Sequence, residues 1–276
     1  MITYLIYKML TVISKVSLGN LHLLARLFKD INNLTFRYRK KIIKNNLKSS
    51  FPELKNKEIE NIASKFYTFF FENIFEIIKS ISLTEREIIK KVQIKNTKLL
   101  NNSIKKKKPI VLISSHYGNW EWIFLRISLI SNINLHAVYK PLSNRIFNSI
   151  IFKIRSKFGG KLIDLNKWKY FILKNREKPY SFMFISDQVP NSQKYGRRIN
   201  FLNQSTLFHE GAEKTAKLLN ADVFYIDLMQ IKKGQYIIEF IPISKHNTTE
   251  KYANILEYRI KKQPQNWLWS HDRWKR

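Results

Sequence analysis

IVLISSHYGNWEW, residues 110–122, decides the fold. IVLIS (110–114) is continuously apolar, short and rich in branched residues, as expected of a strand covered on both faces. Asn119 is a good N-cap, and WEWIFLRISLIS behind it continues at helical spacing. The same alternation runs on through the chain. LHAVY (135–139), KLIDL (161–165), SFMFIS (181–186), DVFYIDLMQI (222–231) and QYIIEFIP (235–242) read as strands. Helical stretches at 144–158, 166–176 and 207–219 lie between most of them. Strands alternating with helices imply an α/β fold. The last two strands flank KKG and form a hairpin, which makes the β-sheet mixed, flanked by helices.

Upstream, residues 35–107 read as helices. FPELKNKEIENIASKFYTFFFENIFEIIKS opens on a proline turn and places Phe66, Phe69, Phe70, Ile74, Ile77 and Ile78 on one face. That face suits either plain core or the wall of an acyl-chain groove. NNSIKKKKP reads as a charged loop ending at Pro109. The first segment, ITYLIYKMLTVISKVSLGNLHLLARLFKD, is interrupted by Lys8, Lys15 and Arg26, so it holds no long uncharged run. Lys8, Lys15, His22, Arg26 and Lys29 fall near one stripe of a single helix, and the rest is apolar. Such a helix lies in a membrane interface or packs on a core. With no basic region ahead of the apolar run and no small-residue cleavage site, the segment is expected to be retained. The expected organisation is a membrane-anchoring helix over 1–30 and a single α/β domain over 31–276.

Composition narrows the partners. A net charge of +30 over 276 residues favours anionic ones: nucleic acid, a phospholipid surface, acidic proteins or acidic substrates. At 14% aromatic residues the chain is too rich in rings for a disordered basic tail. The absence of cysteine excludes thiolate nucleophiles and cysteine-built zinc sites.

His116 follows the strand directly, where open α/β sheets place reactive groups. Gly118 permits an unusual backbone angle or close approach of a ligand. Glu121 falls in the first helical turn, where the helix dipole favours its ionised form. On a continuous helix residues five apart do not share a face, but a loop before the cap lets the chain fold back so that the two meet. A carboxylate on one ring nitrogen leaves the other free to act as a base. A loop histidine beside a capping glutamate is the plainer alternative. Trp267, Trp269 and Trp274 among Arg273, Lys275 and Arg276 suit either a membrane interface or a core-packed tail. His209–Glu210 and His271–Asp272 are adjacent pairs whose side chains point apart on a strand, and they read as structural or acceptor-binding.

SSHYGNWEW (114–122) resembles the H-x4-D/E block of the bacterial lipid A biosynthesis late acyltransferases, the lauroyl/myristoyl transferases, which are similar to the wider glycerolipid acyltransferase superfamily. Collinear blocks resemble the same family: NNLKSSFPEL (45–54), YKPLSNRIFNSIIFKIRSKFGGKLI (139–163), FISDQVPN (184–191), INFLNQSTLFHEGAEKTAKLLNADVFYI (199–226) and QPQNWLWSHDRWKR (263–276). One departure is visible: Asn203 stands in FLNQ where many members carry glycine.

The resemblance implies a glycerolipid acyltransferase-like fold and acyl transfer from an acyl carrier protein thioester to a hydroxyl of a lipid A precursor. It implies the cytoplasmic face of the inner membrane as the location. His116 is then the general base oriented by Glu121. Gly118, Asn119, Arg155, Asp187 and Gln188 surround the substrate, with Arg155 on a phosphate of the lipid or the donor and Asp187 holding Arg155 or a loop. No cofactor or metal is required; acyl-acyl carrier protein is the co-substrate. The expected partners are the acidic carrier protein, anionic membrane lipids and a phosphorylated glycolipid. A phospholipid or another glycolipid is the alternative acceptor. A basic nucleic-acid-binding protein or a non-catalytic membrane-associated protein is the alternative class, and no nucleic-acid-binding motif supports the former.

Overall fold

The computed structural model describes residues 2–190 and 196–275; Met1, Asn191 and Arg276, quoted above, lie outside them. The chain begins with helices α1 (Ile2–Lys15), α2 (Leu18–Leu34), α3 (Lys40–Ser50), α4 (Asn56–Lys79) and α5 (Glu85–Lys91). Then come β1 (Val92–Ile94), α6 (Lys98–Lys105), β2 (Ile110–Ser114), α7 (Trp120–Ser128), β3 (Leu135–Tyr139), α8 (Arg145–Ser156), β4 (Lys161–Asp164), α9 (Trp168–Lys174) and β5 (Ser181–Ile185). The last part holds the hairpin β6 (Gly196–Phe201) and β7 (Gln204–His209), then α10 (Gly211–Leu219), β8 (Asp222–Lys232), β9 (Gln235–Ile243), α11 (Thr248–Lys262) and a 3₁₀ turn, Pro264–Asn266.

Among the described residues the main sheet has seven strands in the order β1-β9-β8-β2-β5-β3-β4, and β6–β7 stand apart as a two-stranded ribbon. Only the β8/β9 pair is antiparallel, so the sheet is mixed. Along β2, Val111 and Ile113 join the core on one face while Ile110 and Leu112 join the core on the other. Burial on both faces is why this strand is apolar without alternation. Phe66 and Phe69 of α4 are buried, and Phe70, Ile77 and Ile78 pack against the core clusters; only Ile74 of that set is well exposed. The aromatic face of α4 is therefore core.

Three elements differ from the sequence expectation. The six strands read from apolar runs are present, but the three-residue β1 is too short to show a period. The ribbon β6–β7 occupies residues 207–209, expected to be helical; its RRINF and QSTLFH runs alternate too weakly to outweigh the helical pattern that starts after them. The charged loop after residue 100 is partly helical, as α6.

The N-terminal segment is two helices, not one. The break falls after Lys15, where Ser17 accepts the amide of Asn20 and caps α2. Lys79 Nζ donates to the carbonyls of Ser14 and Val16 at 2.9 and 3.1 Å, which satisfies the end of α1. This break divides the basic stripe: Lys8, Lys15 and Arg26 stay outside, and His22 turns inward.

Candidate active site

The register of β2 and β5 builds the site. Ser114 pairs with Ile185, so the residues two positions beyond each, His116 and Asp187, leave the sheet side by side at its carboxyl edge. His116 Nδ1 lies 2.7 Å from Asp187 Oδ1, and the His116 amide donates to Oδ2 at 3.0 Å. Trp267, after the 3₁₀ turn, donates its indole N–H to the same Oδ2 at 2.8 Å. Burial pushes the Asp187 carboxyl up, but the adjacent His116, with its hydrogen bonds and that of Trp267, overrides this and holds it at about 2. A carboxylate accepts only, so Nδ1 carries the proton and Nε2 is left as the basic nitrogen. Nε2 lies 3.4 Å from the Gln188 amide, and the side chain as a whole keeps 19% exposure.

Glu121 has a different partner from the one expected. In the first turn of α7 it turns toward α8, where Arg155 grips it in a two-pronged ion pair, Nε to Oε2 at 2.8 Å and Nη2 to Oε1 at 2.7 Å. Trp120 Nε1 donates to Oε1 at 3.1 Å, and the Trp120 ring stands edge-on to the His116 ring at 5.0 Å. Burial raises the Glu121 carboxyl, but Arg155 outweighs it and the net shift is downward. The pairing read from the H-x4-E spacing is thus corrected: Asp187 holds His116, and Glu121 and Arg155 hold each other. Of the two roles expected of Asp187, holding Arg155 or holding a loop, the structure shows the second, through the His116 amide, while Arg155 pairs with Glu121.

Gly118 has φ +65°, and a side chain there would run into Leu228. Its amide donates to Asn266 O at 2.8 Å, so it is committed to the fold and is not a ligand donor. Asn119 is also corrected. It is 0% exposed; Oδ1 caps α7 at the Trp122 amide, 3.0 Å, and Nδ2 donates inward to Glu76. Of the five residues expected around substrate, Gln188 and Arg155 keep partial exposure, whereas Gly118, Asn119 and Asp187 are buried supports.

The profile of the bacterial lipid A biosynthesis acyltransferases matches residues 2–276. The chain belongs to this family. No curated relative matches it at a significant level.

The departure from the lipid A acyltransferase pattern at Asn203 has a local explanation. Leu202 and Asn203, at φ 50° and 61°, are the two-residue turn of the β6–β7 hairpin, which demands left-handed backbone at both positions. Asparagine tolerates that conformation where glycine would otherwise serve, and its Nδ2 donates to Ser50 O at 3.1 Å. The tryptophans of the acyltransferase's C-terminal block belong to the core: Trp267 and Trp269 are buried, and Trp274 Nε1 donates to Thr206 Oγ1 at 2.7 Å. Trp267 is the site residue that sequence reading missed, because its contact spans 80 positions of chain.

Three histidines that the fold holds low, the buried His136 and the half-buried His209 and His271, are expected to make the fold acid-labile. Burial holds His209 down at about 4 and also lowers His136 and His271. An unfolded histidine titrates near pH ~6.5. Below that value the unfolded chain binds protons the folded one refuses, so stability falls with pH until the folded pKa is passed. Asp187 adds a loss of the same sign between its ordinary 3.8 and about 2. The urea midpoint is therefore expected to drop from about pH 7 to about pH 5, and less steeply in His209→Gln. Identical pH profiles for the two proteins would rule out this role for His209.

Proposed function

We propose that this lipid A acyltransferase moves a fatty acyl chain, of the lauroyl/myristoyl type, from an acyl carrier protein thioester to a hydroxyl of a lipid A precursor at the cytoplasmic face of the inner membrane. The observation that carries the reading is the partly exposed His116, its Nδ1 fixed by Asp187 and its Nε2 left beside the Gln188 amide at the carboxyl edge of the central strands. A lipid hydroxyl is a weak nucleophile and needs a base. His116 Nε2 takes its proton as the oxygen attacks the thioester carbonyl. The tetrahedral intermediate carries an oxyanion, for which the Gln188 amide beside Nε2 is a donor within reach. The carbon–sulfur bond then breaks, and the imidazolium returns the proton to the leaving thiolate. Arg155, whose Nη1 lies outside its two bonds to Glu121, supplies a positive charge beside the reacting groups.

The surface supports the membrane setting. Tyr4, Leu5, Met9 and Val12 of α1 and Leu23, Leu27, Phe28 and Leu34 of α2 are exposed. Among the described residues no helix is long and apolar enough to cross a bilayer, so the pair is read as lying in the interface. The +30 charge complements anionic lipid and an acidic carrier protein.

One experiment tests both parts. Protein is added to acyl carrier protein thioester and anionic vesicles containing underacylated lipid A, and products are read by mass spectrometry. The expected result is one added acyl chain per acceptor with release of the carrier thiol, and weaker cosedimentation with vesicles for Leu23→Asp/Leu27→Asp. Acylation of phospholipid alone would reassign the acceptor. Thioester left intact would sink the proposal.

A further inference from the structure

Glu76 lies in the last turn of α4, is 1% exposed and has no role in the reaction described above. Its carboxylate nonetheless takes three hydrogen bonds from three separate parts of the chain. His22 Nε2 of α2 lies 3.0 Å from Oε1. Asn119 Nδ2 of the active-site loop and Tyr236 Oη of β9 donate to Oε2 at 2.8 and 2.7 Å. The Glu76 carbonyl accepts the indole N–H of Trp122, at 3.1 Å, from the first turn of α7. A buried carboxylate is rarely worth more to stability than a well-packed apolar side chain, but it sets geometry that an apolar contact leaves free. Here the geometry is that of the loop between His116 and Glu121.

The other end of this chain of bonds reaches the exposed apolar surface of α2. His22 is inside, while the next residue, Leu23, is 65% exposed, with Leu27 beside it on α2. Asn119 is both the far end of the relay and the cap that orients α7. Two hydrogen bonds, through side chains no more than a tenth exposed, thus connect α2 by way of His22 and Glu76 to the residue that aims the catalytic loop.

We propose that Glu76 is a positioning residue, and that the His22–Glu76–Asn119 relay couples the seating of α2 on a lipid surface to the geometry of the His116 loop. The functional consequence rests on the acyltransferase reading above; the structural coupling does not. Two readouts keep them apart. The first is hydrogen exchange of residues 114–122 in the full-length protein, with and without anionic vesicles that contain no acceptor. Vesicles are expected to slow exchange in this segment by at least about fivefold in wild type and not in His22→Leu, which still cosediments with the vesicles. The second is acyl transfer on vesicles. Here His22→Leu is expected to lower kcat at least about fivefold with KM unchanged, and Glu76→Gln, which keeps an acceptor for Asn119, to retain more activity than Glu76→Leu. Exchange in 114–122 that ignores vesicles in wild type, or that responds equally in His22→Leu, would overturn the coupling whether or not acyl transfer is seen. Equal kcat for folded Glu76→Gln, Glu76→Leu and wild type would overturn the positioning role. A wild type that responds in exchange but transfers no acyl group would overturn the acyltransferase reading alone.

Discussion

His116→Ala is expected to lower kcat by about 10²–10⁴, the usual contribution of a positioned acid–base group, and to lower the urea midpoint modestly, since Asp187 loses the ring but keeps the residue 116 amide and Trp267 as donors. The His116 side chain is 19% exposed, and its ring is held by Asp187 and Trp120 at the sheet edge. What disappears is the acceptor for the hydroxyl proton and the donor for the leaving thiolate. Asp187→Asn separates this role from that of its partner. The asparagine can still accept from the His116 amide and the Trp267 indole, but its amide nitrogen no longer holds Nδ1 in the protonated tautomer. Its kcat is expected to fall as well, with binding of acceptor little changed. Rates at saturating donor, measured beside circular-dichroism melting curves, check both. If His116→Ala turned over within threefold of wild type, a base elsewhere would have to be sought.

Arg155→Ala is expected to produce the largest loss of stability, about 3–5 kcal/mol, because it leaves a buried carboxylate without its cation. The side chain of Glu121 is 4% exposed and Arg155 supplies two of its three hydrogen bonds. Burial would then dominate and drive the Glu121 carboxyl upward, so that the variant takes up a proton on folding and is relatively more stable in mild acid. That is the reverse of the wild-type trend expected from His136, His209 and His271. The double change Glu121→Gln/Arg155→Met removes both charges and is expected to recover most of the loss. Urea unfolding of the three proteins at neutral and mildly acidic pH distinguishes the cases. A single variant as stable as wild type would mean that water reaches Glu121 in place of the arginine. In activity, Arg155→Ala and the double variant are both expected to be impaired, since neither retains the charge beside His116.

The fold was legible wherever a segment's own periodicity matched its final environment. IVLIS and SFMFI read as strands because both faces of the central sheet are covered, and that requirement is written into every residue of the run. The ribbon β6–β7 was not legible, because its turn depends on two left-handed residues, Leu202 and Asn203, that carry no glycine to announce them. The N-terminal pair α1 and α2 reads as one helix because its apolar spacing runs on through the Ser17 cap, and the Lys79 contacts that close α1 come from far along the chain.

The candidate site divides along the same line. His116, its place after a buried strand, its cap at Asn119 and the family blocks downstream are properties of short segments, and the amino-acid sequence alone determined them. Which carboxylate His116 would face was not a local matter. Spacing in the chain favoured Glu121, five residues away, over Asp187, 71 residues away. Hydrogen bonding between β2 and β5 settled it, since pairing Ser114 with Ile185 brings His116 and Asp187 out of the sheet together. It also left Glu121, pointing off α7, to the arginine of α8. Sequence separation measures distance along the chain, whereas a proton relay depends on distance through space, and only the paired strands connect the two.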